Sequence, residues 1–323
     1  MEQSFSVAII GAGALGSAIG GTLAAHGARV ALVTRNPQHR DAVNSRGLLL
    51  AAPDGSATPV PVSAYANCSA IGETFDVAIV LTHSAGTEQA ALDAASILRP
   101  DSTVFSLQNG LGQEDVLSEI LGRGRIIGGK TYVGGLMLAP GKVQATVQGK
   151  RTLIGELNGQ PSERAAQIAR LMSDHGVPTE MPADIRSAIW DKLLINAATG
   201  ALSTITRMPY GELYAQPEIE RTACAAVAEA MAVARSEGIA LTISEPMEAW
   251  RMASAGLPDN FRTSMLSTIL KGGRSEIDFI NGAIVARGQR NGVPTPVNAA
   301  LVACIKGIEA SGIFASIDGR THA

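Results

Sequence analysis

The apolar run Phe5-Ser-Val-Ala-Ile-Ile10 leads straight into Gly11, Gly13 and Gly16, and no other feature of the chain restricts its fold so tightly. This is the G-x-G-x-x-G spacing, in which each glycine serves a separate physical need. Gly11 makes a tight turn, Gly13 lets the backbone approach a pyrophosphate, and Gly16 lets helix and strand pack closely. The small-residue helix that follows aims its first N–H groups and positive dipole end at that pyrophosphate, through Ala14 and Leu15. A second strand over 29–33 then ends at Thr34-Arg35. Arg35 lies nineteen residues past Gly16, close to the spacing of about 20 at which an Asp or Glu reads a ribose 2′-hydroxyl. A guanidinium cannot accept from a hydroxyl, but it suits a 2′-phosphate. The spacing therefore predicts NADP(H) rather than NAD(H) as the cofactor.

The bulk properties exclude several classes. A chain of 323 residues is too long for one simple core and predicts two domains. Its net charge of −3 gives no reason to expect nucleic acid or an anionic membrane as partner. Cys68, Cys224 and Cys304 are odd in number and far apart, so we expect reduced thiols rather than a disulfide frame. The five histidines show no metal-ligand spacing, and no metal is expected. Val7 to Ala25 carries no charge, but its five glycines argue against a membrane span. No basic segment precedes it, and the expectation is a soluble cytoplasmic protein.

Strand-like and helix-like stretches alternate through the first half. Helices are expected over 37–45 and 87–98, with Pro100-Asp101 as a break. Strands are expected at 75–81, 103–107, 125–127, 142–147 and 152–154, and a hairpin over 48–62 turned at Asp54-Gly55. Such alternation implies a mostly parallel sheet covered by helices on both faces. After Pro161 helical periodicity takes over, with helices expected over 163–175, 185–198, 218–237, 259–271, 275–290 and 296–310. The fold class is thus α/β: a Rossmann-type doubly wound sheet over residues 1–181, then an all-α domain over 182–323, with the substrate in a cleft between them.

Within the second half, Ile189-Trp-Asp-Lys-Leu-Leu-Ile-Asn196 carries the best candidate chemistry. Lys192 and Asn196 are i and i+4, one turn apart on one helix face. Among so many apolar neighbours the lysine either snorkels to the surface or is held in a cleft for use, and spacing alone leaves both open. Further along, Ser275 with Asp278 reads as a helix cap with an acidic partner, which leaves Ser264 and Glu276 for other work.

Gly11-Ala-Gly-Ala-Leu-Gly16, Gln108-Asn-Gly110, Trp190-x-Lys-Leu-x-x-Asn196, Ser264-Met265 and Glu276-Ile-Asp-x-x-Asn-Gly282 together resemble the ketopantoate reductase (2-dehydropantoate 2-reductase) family, in family order and over nearly the whole chain. The resemblance implies NADPH-dependent reduction of a 2-keto acid to its 2-hydroxy acid. Lys192 matches the family's catalytic lysine, which protonates the carbonyl oxygen as hydride arrives at carbon. Asn109 matches an asparagine that contacts both cofactor and the reacting region, and Asn196 and Ser264 match substrate-binding positions. Glu276 matches a glutamate that contacts the cofactor close to the lysine, and Gly135 falls near the nicotinamide end. Hydride transfer to a ketone makes an alkoxide, and an ammonium supplies it with charge and proton together.

Three positions depart from the family pattern. Gly200 and Tyr210 stand where asparagines are usual, and His83 stands where a lysine near the cofactor phosphates is usual. The resemblance makes ketopantoate the expected substrate, and these departures weaken that assignment in favour of the alternative, another 2-keto or 3-hydroxy acid on the same chemistry. A non-catalytic NADP-binding regulator is a third reading, opposed by the intact proton donor. The apolar helices of the second half leave room for a homodimer.

Overall fold

The computed structural model describes residues 5–52 and 55–311. The chain divides into two compact units: one runs to Gln108 and resumes over Gln113–Arg186, the other comprises Asn109–Gly112 and the residues from Ser187 on. The division falls within the first turn of a long helix, and a four-residue strap from the first half of the sequence groups with the second unit.

The first unit holds strands β1 (Ser6–Ile10), β2 (Arg29–Val33), β3 (Leu48–Ala51), β4 (Ala57–Val60), β5 (Ser63–Tyr65), β6 (Phe75–Val80), β7 (Leu98–Ser106), β8 (Gly128–Thr131), β9 (Gly134–Ala139), β10 (Lys142–Thr146), β11 (Thr152–Gly155) and β12 (Thr179–Glu180). Its helices are α1 (Ala14–Ala25), α2 (Pro37–Arg46), α3 (Thr87–Ala94), α4 (Gln113–Leu121) and α5 (Glu163–Asp174). The central sheet is all parallel in the order β5-β2-β1-β6-β7. β1 reads as an unbroken apolar run because both of its faces are covered: Val7 and Ile9 join one core with Ile19, Leu23 and Leu32, while Ala8 and Ile10 join another with Phe75, Val80 and Ile97. Each such fully buried aliphatic side chain contributes about 1.5–3 kcal/mol.

Two smaller sheets complete this unit, β4-β3-β10-β9 and β12-β11-β8. The expected hairpin forms, with β3 and β4 antiparallel and Leu48 opposite Val60; Asp54 of its turn lies outside the described residues. The helix expected over 87–98 ends at Ala94, ahead of Pro100-Asp101, and that pair lies inside β7; the strand expected at 125–127 lies at Gly128–Thr131, with Ile126 contributing only a single bridge to Val104. β9 has no period-2 signal, since its glycines and exposed leucines hide it.

The second unit is helical: α6 (Ile185–Thr206), α7 (Tyr210–Tyr214), α8 (Pro217–Ser236), α9 (Pro246–Ser254), α10 (Ser264–Leu270), α11 (Asn281–Asn291) and α12 (Pro296–Ser311). α6 runs two turns past its expected end because Ala197, Ala198, Ala201 and Leu202 keep it buried. α10 starts later than expected, at the Thr263 cap, whose hydroxyl accepts from Leu266 N at 3.2 Å. Ser275 does not cap a helix: its backbone N–H and its hydroxyl both bond Glu309, a 3-10 turn over Ile277–Phe279 follows, and Asp278 pairs with Lys306. One polar core joins three helices: Glu229 on α8 accepts from Val297 and Asn298 on α12, and Asn298 in turn accepts from Asn281 on α11.

Candidate active site

In the first unit the glycine-rich turn has the geometry that its spacing predicts. Gly11 adopts φ +103°, and a Cβ there would lie 2.4 Å from Thr82 N. At Gly16 a Cβ would lie 2.4 Å from Gly11 O, so helix and turn approach as only glycine permits. Gly13, by contrast, faces open space, with nothing within 4 Å of its Cβ position. It caps α1 without a side chain, leaving the first-turn N–H groups at Ala14 and Leu15 for an anion. Gly11 N and Ala12 N both donate to Val33 O, which seats the turn on the end of β2.

Arg35 stands exposed just past β2, immediately before Asn36, whose side chain caps α2 by accepting from His39 N. His83 is also exposed, at the start of the short turn that follows β6. Gly135 lies on β9, where a Cβ would come within 2.4 Å of Ala14 O. Its lack of a side chain lets β9 pass directly over the first turn of α1.

The second unit gathers the titratable candidates. Lys192 sits on α6, half-buried, and desolvation pushes its ammonium down to about 8, an effect that the Glu276 charge opposes. Glu276 precedes the 3-10 turn, and its Oε2 accepts from Asn109 Nδ2 at 3.1 Å. The strap carrying Asn109 is held by its neighbours: Leu111 N donates to Phe279 O at 2.9 Å, and Gly110, at φ +94°, lies so close that a Cβ would meet Phe279 O at 2.2 Å. Lys192, Glu276 and Asn109 thus form one cluster drawn from three segments.

Asn196 lies one turn beyond Lys192, half-buried, and Ser264 is exposed at the first position of α10. The two helices meet where a Cβ on Gly200 would lie 3.4 Å from Met265 Cε. Gly200 is therefore a contact point between α6 and α10. Tyr210 is buried, with its hydroxyl 3.2 Å from Thr199 Oγ1.

Residues to which the sequence assigned no role hold this framework. Gln108 closes the end of β7: its Nε2 donates to Thr82 O at 2.8 Å and to Thr87 Oγ1 at 3.0 Å, and its Oε1 accepts from Ser106 Oγ at 2.9 Å. The buried Asp191, beside Lys192, accepts from Thr242 N, Thr242 Oγ1 and Ile243 N, at 3.1, 2.5 and 3.3 Å. That clamp fixes the rotation of α6 and with it the direction of Lys192. Gln108 could have been found from its place beside Asn109; a buried aspartate next to a lysine gives no such signal. Among the described residues no cluster of His, Cys, Asp or Glu could hold a metal ion, and no helix is long and apolar enough to cross a membrane.

The chain is similar to known proteins along most of its length. The family model described as "Ketopantoate reductase PanE/ApbA" matches residues 7–159, and its C-terminal counterpart matches residues 184–309. The 2-dehydropantoate 2-reductase of Pyrococcus horikoshii is 34% identical over 304 residues, covering 94% of this chain and 97% of that one. A crystal structure of a PanE/ApbA family ketopantoate reductase from Ralstonia eutropha JMP134 superposes with a TM-score of 0.86 at 35% identity, covering 96% of this chain and all of that one. D-mandelate dehydrogenase, in a ternary structure with NADH and anilino(oxo)acetate, gives the same TM-score of 0.86 at 25% identity and the same coverage.

Proposed function

The chain belongs to the ketopantoate reductase family and is an oxidoreductase, and from that premise we propose that it reduces 2-dehydropantoate to pantoate, with hydride from NADPH and a proton from Lys192. The observation that carries the reading is the cluster in which the Glu276 carboxylate, held by Asn109 Nδ2 at 3.1 Å, acts on Lys192. Its ammonium is desolvated to about 8, beside a carboxylate that opposes the shift. A donor near the operating pH gives up its proton readily while staying charged enough to steady a developing alkoxide. Glu276 keeps the proton on the lysine, and Asn109 orients Glu276. Asn196 and Ser264 are the donors for the substrate's carboxylate or hydroxyl.

The first unit fits a dinucleotide. The open side of Gly13 and the first turn of α1 are suited to the pyrophosphate, and exposed Arg35 to a 2′-phosphate. His83 and Gly135 are assigned to the same cofactor. NADPH, when bound, supplies the hydride; the chain's own residues supply orientation and the proton.

A second reading, reduction of a different 2-keto acid, is favoured by one observation. Where the family offers amides, this chain packs Gly200 on Met265 and turns the Tyr210 hydroxyl to Thr199. A site short of one amide discriminates less strongly for a hydroxylated substrate. The likeness to D-mandelate dehydrogenase makes an aromatic 2-keto acid the sharpest competitor, and NADH the competing cofactor. Steady-state oxidation of NADPH and of NADH with ketopantoate, branched 2-keto acids and phenylglyoxylate decides between them. The highest kcat/KM is expected for ketopantoate with NADPH. Efficient turnover of phenylglyoxylate without detectable ketopantoate reduction would establish the second reading instead.

A further inference from the structure

One buried imidazole joins the two halves of the proposed dinucleotide grip. His39, in the first turn of α2, is only 2% exposed. Its Nδ1 accepts from Gly141 N at 3.0 Å. An amide N–H can only donate, so Nδ1 carries no proton and the neutral ring bears its hydrogen on Nε2. Nε2 lies 3.0 Å from Ser17 Oγ and donates to it, which leaves the Ser17 hydroxyl to donate to Ala12 O at 3.2 Å. The direction of the whole chain of bonds follows from one backbone amide.

Both ends of that chain bear on the cofactor region. The peptide whose oxygen Ser17 holds is Ala12–Gly13, and its N–H is held in turn by Gly11 O at 2.8 Å. It is the peptide that leads into the open side of Gly13. At the other end, the His39 backbone N–H completes the Asn36 cap at 3.1 Å, which fixes α2 directly after Arg35. Gly141, in the turn between β9 and β10, takes φ +74° and lies so close to α2 that a Cβ would meet Ala42 Cβ at 2.8 Å.

We propose that His39 is a positioning residue: it locks the glycine-rich turn to the Arg35 end of β2 in the form that binds the dinucleotide, and its protonation loosens that grip in acid. The proposal rests on the NADPH reading above. A second proton would sit on Nδ1 and point at the Gly141 N–H, donor against donor, so the charged ring cannot keep both bonds.

The surroundings offer the charged ring no compensation. α1 and β9 carry no charged residue. On α2, Arg40 pairs with Asp41 at the surface and Arg46 donates to Pro140 O. β10 begins with another cation, Lys142. Burial accordingly pushes the imidazole below its ordinary 6.5. The sign follows: affinity is full where the ring is neutral and is lost as pH falls through the lowered value.

The test is the Kd for NADPH, by nicotinamide fluorescence on the 323-residue chain, from about pH 8 down to the lowest pH at which circular dichroism still shows the fold, because burial sets the imidazole below its ordinary 6.5. His39→Gln keeps a donor and an acceptor but does not titrate, so its affinity should fall less steeply in acid than that of the wild type. Titration of the cofactor's own 2′-phosphate, near pH 6, is common to both and cancels in their ratio. Ser17→Ala keeps the imidazole but cuts the link to Ala12, and keeps the proposal testable if His39→Gln does not fold. It should raise Kd and KM for NADPH about 2- to 10-fold, the worth of one hydrogen bond, with kcat unchanged. Equal acid slopes in wild type and His39→Gln, or an unchanged KM in Ser17→Ala, would overturn the proposal while leaving the cofactor reading intact. A wild type that binds no NADPH at any pH overturns both.

Discussion

Between Gly11 and Gly16 the first unit exposes almost no side chain to a ligand; what it offers is backbone, brought close by residues that lack a Cβ. The second unit works the other way round. Lys192, Glu276 and Asn109 are long or polar side chains, and their use depends on desolvation and on one another's charge. A backbone site is closed to a ligand by one added carbon, and its own groups do not titrate, so pH reaches it only through a neighbour such as His39. A charged cluster tolerates isosteric change but is tuned by every neighbouring charge. The two regions should therefore fail differently when perturbed.

The largest effect is expected in the second unit. Lys192→Ala removes the proton donor and should lower kcat by at least about 10²-fold, with NADPH affinity retained in a fluorescence titration. A variant within a few-fold of the wild type would return the lysine to the snorkelling role that spacing alone allows, and the contrast between the units would collapse.

A pair of alanine substitutions sharpens the comparison from the other side. Gly16→Ala places a methyl 2.4 Å from Gly11 O and should cost about 1–3 kcal/mol as overpacking, read as a lower Tm of the apoprotein. Gly13→Ala meets nothing, so its Tm should hold while its affinity for NADPH falls, because the methyl occupies the path of the pyrophosphate. If Gly13→Ala binds NADPH like the wild type, the pyrophosphate does not approach there.

This contrast also explains what is legible in the sequence. The β1–α1–β2 region reads directly, because its constraints are local: a buried strand, a turn that excludes Cβ, and a helix within twenty residues. The helices with clear amphipathic stripes, α5, α8 and α12, fall nearly where their periodicity predicts. β9 and α9 do not: β9 opens on two adjacent glycines and then exposes Leu136 and Leu138, and α9 is a short helix after a loop that Asp191 organises from 51 residues away. The cluster around Lys192 is legible only through family resemblance, since Asn109 and Glu276 stand 167 residues apart and no periodicity links them. Gly200 and Tyr210 read as missing amides; their packing on Met265 and Thr199 is a tertiary fact.

The finest test of the comparison concerns the charge that tunes Lys192. Desolvation draws its ammonium down to about 8, and the Glu276 carboxylate holds it from falling further. Reduction needs the protonated lysine, so kcat/KM for the keto acid should decline as pH rises past about 8. Glu276→Gln removes the charge but keeps an amide oxygen that can still accept from Asn109. Loss of the counter-charge lowers the lysine's pKa, so the alkaline limb should move to lower pH, with a modest loss of rate below it. Oxidation of the hydroxy acid needs the neutral amine, and its limb should move to lower pH as well, rising with pH instead of falling. The pH profiles of both directions, in wild type and Glu276→Gln, check the shift. An unmoved limb would mean that the carboxylate orients Asn109 without governing the proton, and the second unit would then be, like the first, a site set by position and not by charge.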